Sequence, residues 1–319
     1  MLRRIFLKKM ALALCSVSWA GTVMAQSPPG TRNTRRVSSR KTLLGTDVSI
    51  VSYHGSVDFA QGCHEDLFRR AEVLSAIFSR HDTHSALSYL NATKSMKSAP
   101  PELLAVLGTA EHLHALSCGA FDIRVLPMLS LLEQESSPDQ LEKMLQKIEL
   151  AQHNSISIKN GSVCLGATTS LTLDGIAKGY IVDKMLELAR DLGLEHCLVN
   201  AGGDIGCFGG VPGDAPWEIA VYNPFSHGLD PHPVTLRSGA VATSGGYFKP
   251  YAGTYHHILD PLHKISPWHH ASVSVIAANA MAADAMATAC MVLDTPRAQA
   301  LLALHSMRGM FIRHDGAIT

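Results

Sequence analysis

Residues 171–208 read LTLDGIAKGYIVDKMLELARDLGLEHCLVNAGGDIGCF. A short apolar run ends at Asp174-Gly175, and the segment Gly175–Leu192 then predicts a long helix. Gly193 closes it, as a left-handed cap does. A strand is expected at Cys197–Asn200, followed by Gly202-Gly203-Asp204-Ile205-Gly206. That glycine cluster comes nearest to a dinucleotide-binding fingerprint, which needs G-x-G-x-x-G spacing between a strand and a helix. Here the spacing is absent and the next segment is strand-like, so that fold is excluded. Helices and strands alternate without a regular βαβ rhythm. The expectation is a single α+β domain with a mixed, partly antiparallel sheet and packed helices.

Working outward, Thr46–Ser52 predicts a strand, and Glu65–Phe78 places Leu67, Ala71, Leu74 and Phe78 on one helical face. Pro100-Pro101 opens a second helix with Leu103, Leu104, Leu107, Ala110 and Leu113 inward, and Ser137-Pro138-Asp139 starts a third. Alternating residues at 155–158 and 163–165 predict a hairpin turning at Asn160-Gly161. Further strands are expected at Trp217–Val221, Val234–Leu236 and Phe311-Ile312. Residues 280–293 (AMAADAMATACMVL) are small and apolar on nearly all sides, which predicts a buried helix.

The chain begins MLRRIFLKKMALALCSVSWAGTVMAQ. A basic head, an apolar stretch too short to span a bilayer, and small residues at Val23 and Ala25 form a secretory signal over residues 1–25. Arg3-Arg4-Ile5-Phe6-Leu7-Lys8 fits the twin-arginine pattern, so the export machinery and a periplasmic location are expected. Leu14 stands where a lipoprotein signal before Cys15 needs a small residue. Residues 26–41 are polar, basic and rich in Ser, Pro and Arg, and predict a flexible linker ahead of a domain over 42–319. The chain holds 27 basic and 27 acidic residues; loss of Arg3, Arg4, Lys8 and Lys9 with the signal leaves it mildly acidic. That balance points to no nucleic-acid or membrane-surface partner. No C-x-x-C pair occurs among the seven cysteines, so a zinc ribbon or dithiol redox site is not indicated.

Two segments carry chemistry. In Ala283-Asp284-Ala285-Met286-Ala287-Thr288, a carboxylate and a hydroxyl four residues apart share one helical face among small apolar neighbours. A buried lone carboxylate costs several kcal/mol unless a charge meets it. With no Lys or Arg nearby in sequence, the reading is a cation such as Mg²⁺, which takes its remaining oxygens from water and phosphate; capping, or pairing with a distant arginine, is the alternative. In Leu171–Tyr180, Gly175 permits close backbone approach, the helix N-terminus favours an anion, and Lys178 adds a point charge for phosphate.

Taken together, the chain resembles the FAD:protein FMN transferase family, the ApbE family. Eight segments match in family order: Leu44-Gly45-Thr46, Ser79–Asn91, Gly119–Asp122, Leu171–Asp183, Leu198–Ile205, Ala242–Gly245, His257–Pro261 and Ala283–Thr288. The resemblance implies FAD in a deep pocket with Mg²⁺ on its pyrophosphate. Metal ligands would be the Gly175 carbonyl, Asp284 and Thr288. Leu44, His81, Ala120, Phe121, Asp122, Thr172, Lys178 and Ile258 would surround the dinucleotide, with Ser244 and Gly245 on a loop at the same pocket. Gly202, Gly203 and Asp204 would lie beside it, or make only a tight turn. The implied reaction moves FMN from FAD to a Thr hydroxyl of an acceptor flavoprotein and releases AMP, with Lys178 assisting and His257 as base or, alternatively, as a structural hydrogen-bonding residue. An FAD pyrophosphatase and a non-catalytic flavin-binding or assembly protein are the rival readings. The chain departs from the usual family pattern at His81, Arg124, Thr172, Asp174, Leu262-His263-Lys264 and Ala287.

Overall fold

The computed structural model describes residues 34–134, 137–148, 155–225, 228–229, 233–247, 251 and 255–319. Strands β1 (Arg35–Leu43) and β2 (Thr46–His54) form a hairpin. Its two turn residues, Leu44 and Gly45, have φ of 58° and 70°, the left-handed pair that a twisted two-residue hairpin requires. The linker expected over 26–41 is thereby corrected: residues 35–41 are strand. Their polar composition misleads because β1 is an edge strand with only Val37 buried, held by backbone bonds that need no apolar side chains. Residues 1–33, over which the signal and the rest of the linker are expected, lie outside the described residues.

Helix α1 (Val57–Phe78) starts two turns before the expected Glu65, capped by Ser56, which accepts the Phe59 N–H at 3.2 Å. The polar residues of its first half hid it. One of them, His64, is fully buried and bonded by Ser39 at 2.8 Å and Ser52 at 2.9 Å, so hydrogen bonds stand in for apolar contact. Then come α2 (Ala86–Thr93), β3 (Ser95–Met96), α3 (Pro101–Leu116), a 3₁₀ turn at Ile123–Val125, α4 (Leu126–Leu132) and α5 (Pro138–Lys147). Ser137 and Gln140 close a capping box on α5. The hairpin β4 (Ile156–Lys159) and β5 (Ser162–Leu165) turns at Asn160-Gly161, as expected. Next are α6 (Ala177–Asp191), β6 (Cys197–Ala201), β7 (Asp204–Phe208), β8 (Trp217–Ile219), β9 (Tyr222–Asn223), β10 (Gly228–Leu229), β11 (Val234–Leu236), β12 (Gly239–Gly245) and β13 (Ser272–Ala277). The described chain closes with α7 (Ala280–Val292), α8 (Thr295–Leu304) and β14 (Arg308–Ile312).

The main sheet runs β1-β2-β6-β7-β12-β13-β14. The α+β class holds, and every described pairing in this sheet is antiparallel, where the sequence reading allowed parallel pairs as well. Side chains sort by parity onto two cores. Val48, Ile50, Val199, Ala201 and Ala242 face the helices, while Val51, Tyr53, Leu198, Ile205 and Val241 pack under Trp217 and Ile219 of the small β8–β11 ribbon. β6 and β7 are buried along their whole length, so neither shows the alternation of a half-exposed strand. The six described cysteines are free thiols; Cys197 and Cys207 point to opposite faces of the sheet.

Candidate functional site

The site lies on the helical side of the sheet, where α6 and α7 cross. Their approach is set by Gly179: a Cβ there would fall on the Ala280 backbone and 2.7 Å from Met281 Cα. Ala280, Ala283, Ala285, Ala287 and Ala289 are fully buried, small enough to let α7 nest into the core. Three of the first N–H groups of α7 are satisfied by side chains: Asp183 accepts from Ala280 at 2.7 Å and Met281 at 2.9 Å, and Asn279 accepts from Ala282 at 2.9 Å. This fixes α7 both along and about its axis.

Asp284 and Thr288 then face the start of α6, as their spacing predicts. Asp284 Oδ2 accepts the Gly179 N–H at 3.1 Å, and Thr288 Oγ1 lies 3.2 Å from Ser244 Oγ of β12. A side chain at Gly175 would begin 3.0 Å from Thr288 Oγ1 and 3.5 Å from the Phe121 ring. The structure therefore brings Gly175, Thr288, Ser244 and Phe121 together from four chain segments. Phe121 is buried and held by Ser117, which accepts its N–H at 2.9 Å, and by His114, which bonds its carbonyl at 2.9 Å. Asp122 caps the 3₁₀ turn and pairs with the fully buried Arg124 at 2.9 Å, while Arg124 also bonds Glu111. Thr172 is buried and donates its N–H to Ile123 at 2.8 Å. Ala120 and Ile258 are buried nearby in the same core cluster, Leu44 packs against its edge, and His81 is exposed on the turn after α1. Its neighbour Arg80 bonds Asp174 at 2.7 Å and Glu133 at 2.6 Å, tying that turn to the residue before Gly175.

Asp284 lacks a basic neighbour along the chain but has one in space, Lys178, whose Nζ stands 3.9 Å from Asp284 Oδ1. Lys178 bonds Asp204, the first residue of β7 and only 2% exposed. Asp204 is the site residue that sequence reasoning undervalued. It projects to the helical face because it shares parity with Phe208 of the helix-side core, a fact visible only once β7 is recognised as a strand. Gly202 and Gly203, at φ of 65° and 105°, make the tight turn that delivers it, and Gly203 donates its N–H to Asn200 at 2.9 Å.

Charge at this centre is unbalanced. Burial pushes Asp284 up to about 7, the negative charge of Asp204 adds to this, and Lys178 opposes it. Burial also raises Asp204, again against Lys178. Burial works against the charge on Lys178, but Asp204 and Asp284 outweigh it and hold the ammonium above its ordinary value. Two buried carboxylates thus share one ammonium, and a second cation would be stabilised beside Asp284. Asp284, the two hydroxyls and the Gly175 backbone offer hard oxygen donors of the kind Mg²⁺ takes when phosphates and water complete its shell. Among the described residues no three His, Cys, Asp or Glu side chains converge as an all-protein metal cage.

His257 lies close enough to Lys178 and Asp174 to feel both charges. Its ring is reached by solvent yet crowded by protein. Burial first, then His256 and Lys178, push it down to about 4, with Asp174 opposing. The lowered value favours the neutral imidazole at pH 7. It follows the loop fixed by His256, which bonds the Pro267 carbonyl at 2.7 Å and Ser266 at 2.9 Å.

Comparison with known proteins bears on this geometry. The model of the ApbE family matches residues 44–311. An FAD:protein FMN transferase of Treponema pallidum (strain Nichols) is 31% identical over 267 residues, covering 75% of this chain and 73% of that protein. One of Chlamydia trachomatis serovar D is 30% identical, covering 79% and 84%. Among solved structures, the ApbE protein of Thermotoga maritima superposes with a TM-score of 0.80 at 27% identity, covering 89% of this chain and 96% of that one. The apo flavinyl transferase ApbE of Pseudomonas stutzeri gives 0.77 at 24% identity, covering 90% and 94%, a likeness of fold.

Proposed function

Because the chain belongs to the ApbE family, we propose that it is an FAD:protein FMN transferase that moves FMN from FAD onto a Thr hydroxyl of an acceptor flavoprotein, releasing AMP. The observation that carries this reading is the meeting of Asp284, Thr288, Gly175 and Lys178 at one α6–α7 crossing, in a chain whose relatives bear that name.

Asp284, Thr288 and the Gly175 carbonyl are the residues that would hold Mg²⁺. When bound, the ion neutralises charge on the pyrophosphate oxygens. Lys178 presents its ammonium to the same phosphates, and a third of its side chain is exposed. The acceptor Thr oxygen forms a bond to the FMN-side phosphorus, and the bond from that phosphorus to the bridging oxygen breaks with AMP as leaving group. His257, neutral at working pH, takes the Thr proton. The buried Ala287 provides no second carboxylate to activate water at this point of α7, which favours transfer over hydrolysis.

Purified protein incubated with FAD and Mg²⁺, with and without an acceptor flavoprotein, tests the reading. Flavin fluorescence on the acceptor band together with free AMP is the expected result. Free FMN and AMP with no labelled protein would instead make the chain an FAD pyrophosphatase, and unchanged FAD a flavin-binding protein without turnover. We propose further that the chain acts in the periplasm after export, on the strength of residues 1–25.

A further inference from the structure

We infer that Asp204 is a positioning residue for this site: it holds the Lys178 ammonium away from Asp284, so that one Asp284 oxygen stays available to a divalent cation. The inference rests on the reading of Asp284 as a metal ligand given above. Three observations carry it. First, Lys178 divides unequally between the two carboxylates. It is hydrogen-bonded to Asp204 but stands 3.9 Å from Asp284 Oδ1, beyond hydrogen-bond reach. Second, the other Asp284 oxygen is already used by the Gly179 N–H at 3.1 Å, so Oδ1 is the oxygen that faces the gap. Third, Asp204 is held to its place by pairing with Ala201 of β6 and by the turn that precedes it. It is 2% exposed at the head of a strand paired on each edge, and the Gly202–Gly203 turn before it is braced on β2, with the Gly202 N–H on Asp47 at 3.2 Å.

At about 4 Å in a partly dry site, an ammonium and a carboxylate attract strongly. Lys178 has a flexible stem and could close the gap to Asp284 with a small rotation. The counter-pull of Asp204 prevents this. Without it, the lysine would take Oδ1 for itself and compete with the cation for the one buried carboxylate that α7 offers. Asp204 thus also leaves the remaining donors of Lys178, a third of whose side chain is exposed, free for the phosphates of FAD.

The test is a double-mutant cycle read by metal binding. Mn²⁺, an EPR-visible substitute for Mg²⁺, is titrated into the folded protein with FAD present and no acceptor. Wild type should bind Mn²⁺, and Asp284→Ala should not; if wild type fails to bind, or Asp284→Ala binds equally, the metal reading itself falls, and the clamp with it. With those controls met, Asp204→Asn should weaken Mn²⁺ binding by about 10–100-fold, as loss of an outer partner does. In a Lys178→Met background the same change should cost nothing, because no lysine remains to be restrained. Equal losses in both backgrounds would mean that Asp204 contributes only its charge, and an Asp204→Asn affinity equal to wild type would mean that it contributes neither; each overturns the inference. Thermal unfolding checks that each variant is folded. Should Asp204→Asn alone fail to fold, Lys178→Met and the double variant still decide the matter, since the clamp requires them to bind Mn²⁺ alike.

Discussion

Asp284 and Thr288 were legible as a pair because four residues make about one helical turn and put both on one face. Their predicted roles differ in size. Asp284→Ala should abolish Mg²⁺-dependent transfer, whereas Thr288→Val should weaken it less, since a hydroxyl brings no net charge; undiminished turnover by Asp284→Ala, or by wild type in excess chelator, would remove the site. His257 is predicted to act as a neutral base. Its pKa is lowered, so the competent unprotonated form persists as pH falls below the ordinary imidazole value. The acid limb of kcat/KM should accordingly lie well under 6.5. His257→Ala should lower transfer by about 10²–10⁴-fold while FAD binding is little changed. A limb above 7, or labelling equal to wild type, would reduce His257 to a structural residue. Asp204 was not legible in this way. Its partner Lys178 is 26 positions earlier in the chain, and no local periodicity connects a strand's first residue to a helix's first turn.

At the scale of elements, the site depends on how closely α6 and α7 can approach. Gly179→Ala would drive a methyl into the Ala280–Met281 backbone, which cannot swing aside as a side-chain tip can. A loss of about 1–3 kcal/mol or more is expected, seen as a fall of several degrees in Tm. Because Asp284 takes its hydrogen bond from the same Gly179, apparent Mg²⁺ affinity should fall along with stability. A variant with wild-type Tm would show that the helices have room to spare. Elements with a strong local signal were predicted well: the Asn160-Gly161 hairpin, the helix closed by Gly193, and α7, apolar on nearly all sides. Those that failed had signals of another kind. The first half of α1 buries His64 by hydrogen bonding, and β1 is an edge strand most of whose polar residues face water.

For the whole molecule, export in a folded state is the natural route if FAD and metal are acquired before crossing, and Arg3-Arg4 is the feature that would specify it. Arg3→Lys with Arg4→Lys should leave precursor in the cytoplasm, while an inhibitor of the general secretion route should not; normal export of the double variant would refute that route. The sequence by itself determined the α+β class, the helix that carries Asp284 and Thr288, and the turn-to-helix segment with Gly175 and Lys178. Each of these is written in a local pattern: a helical period, a cap, a glycine at a turn. Only the tertiary structure decided that the main sheet is covered on both faces, by helices and by the Trp217 ribbon, and that Asp204 meets Lys178 beside Asp284. The physical reason is that a buried charge is balanced by whatever opposite charge the fold brings within a few ångströms, and distance along the chain carries no record of that.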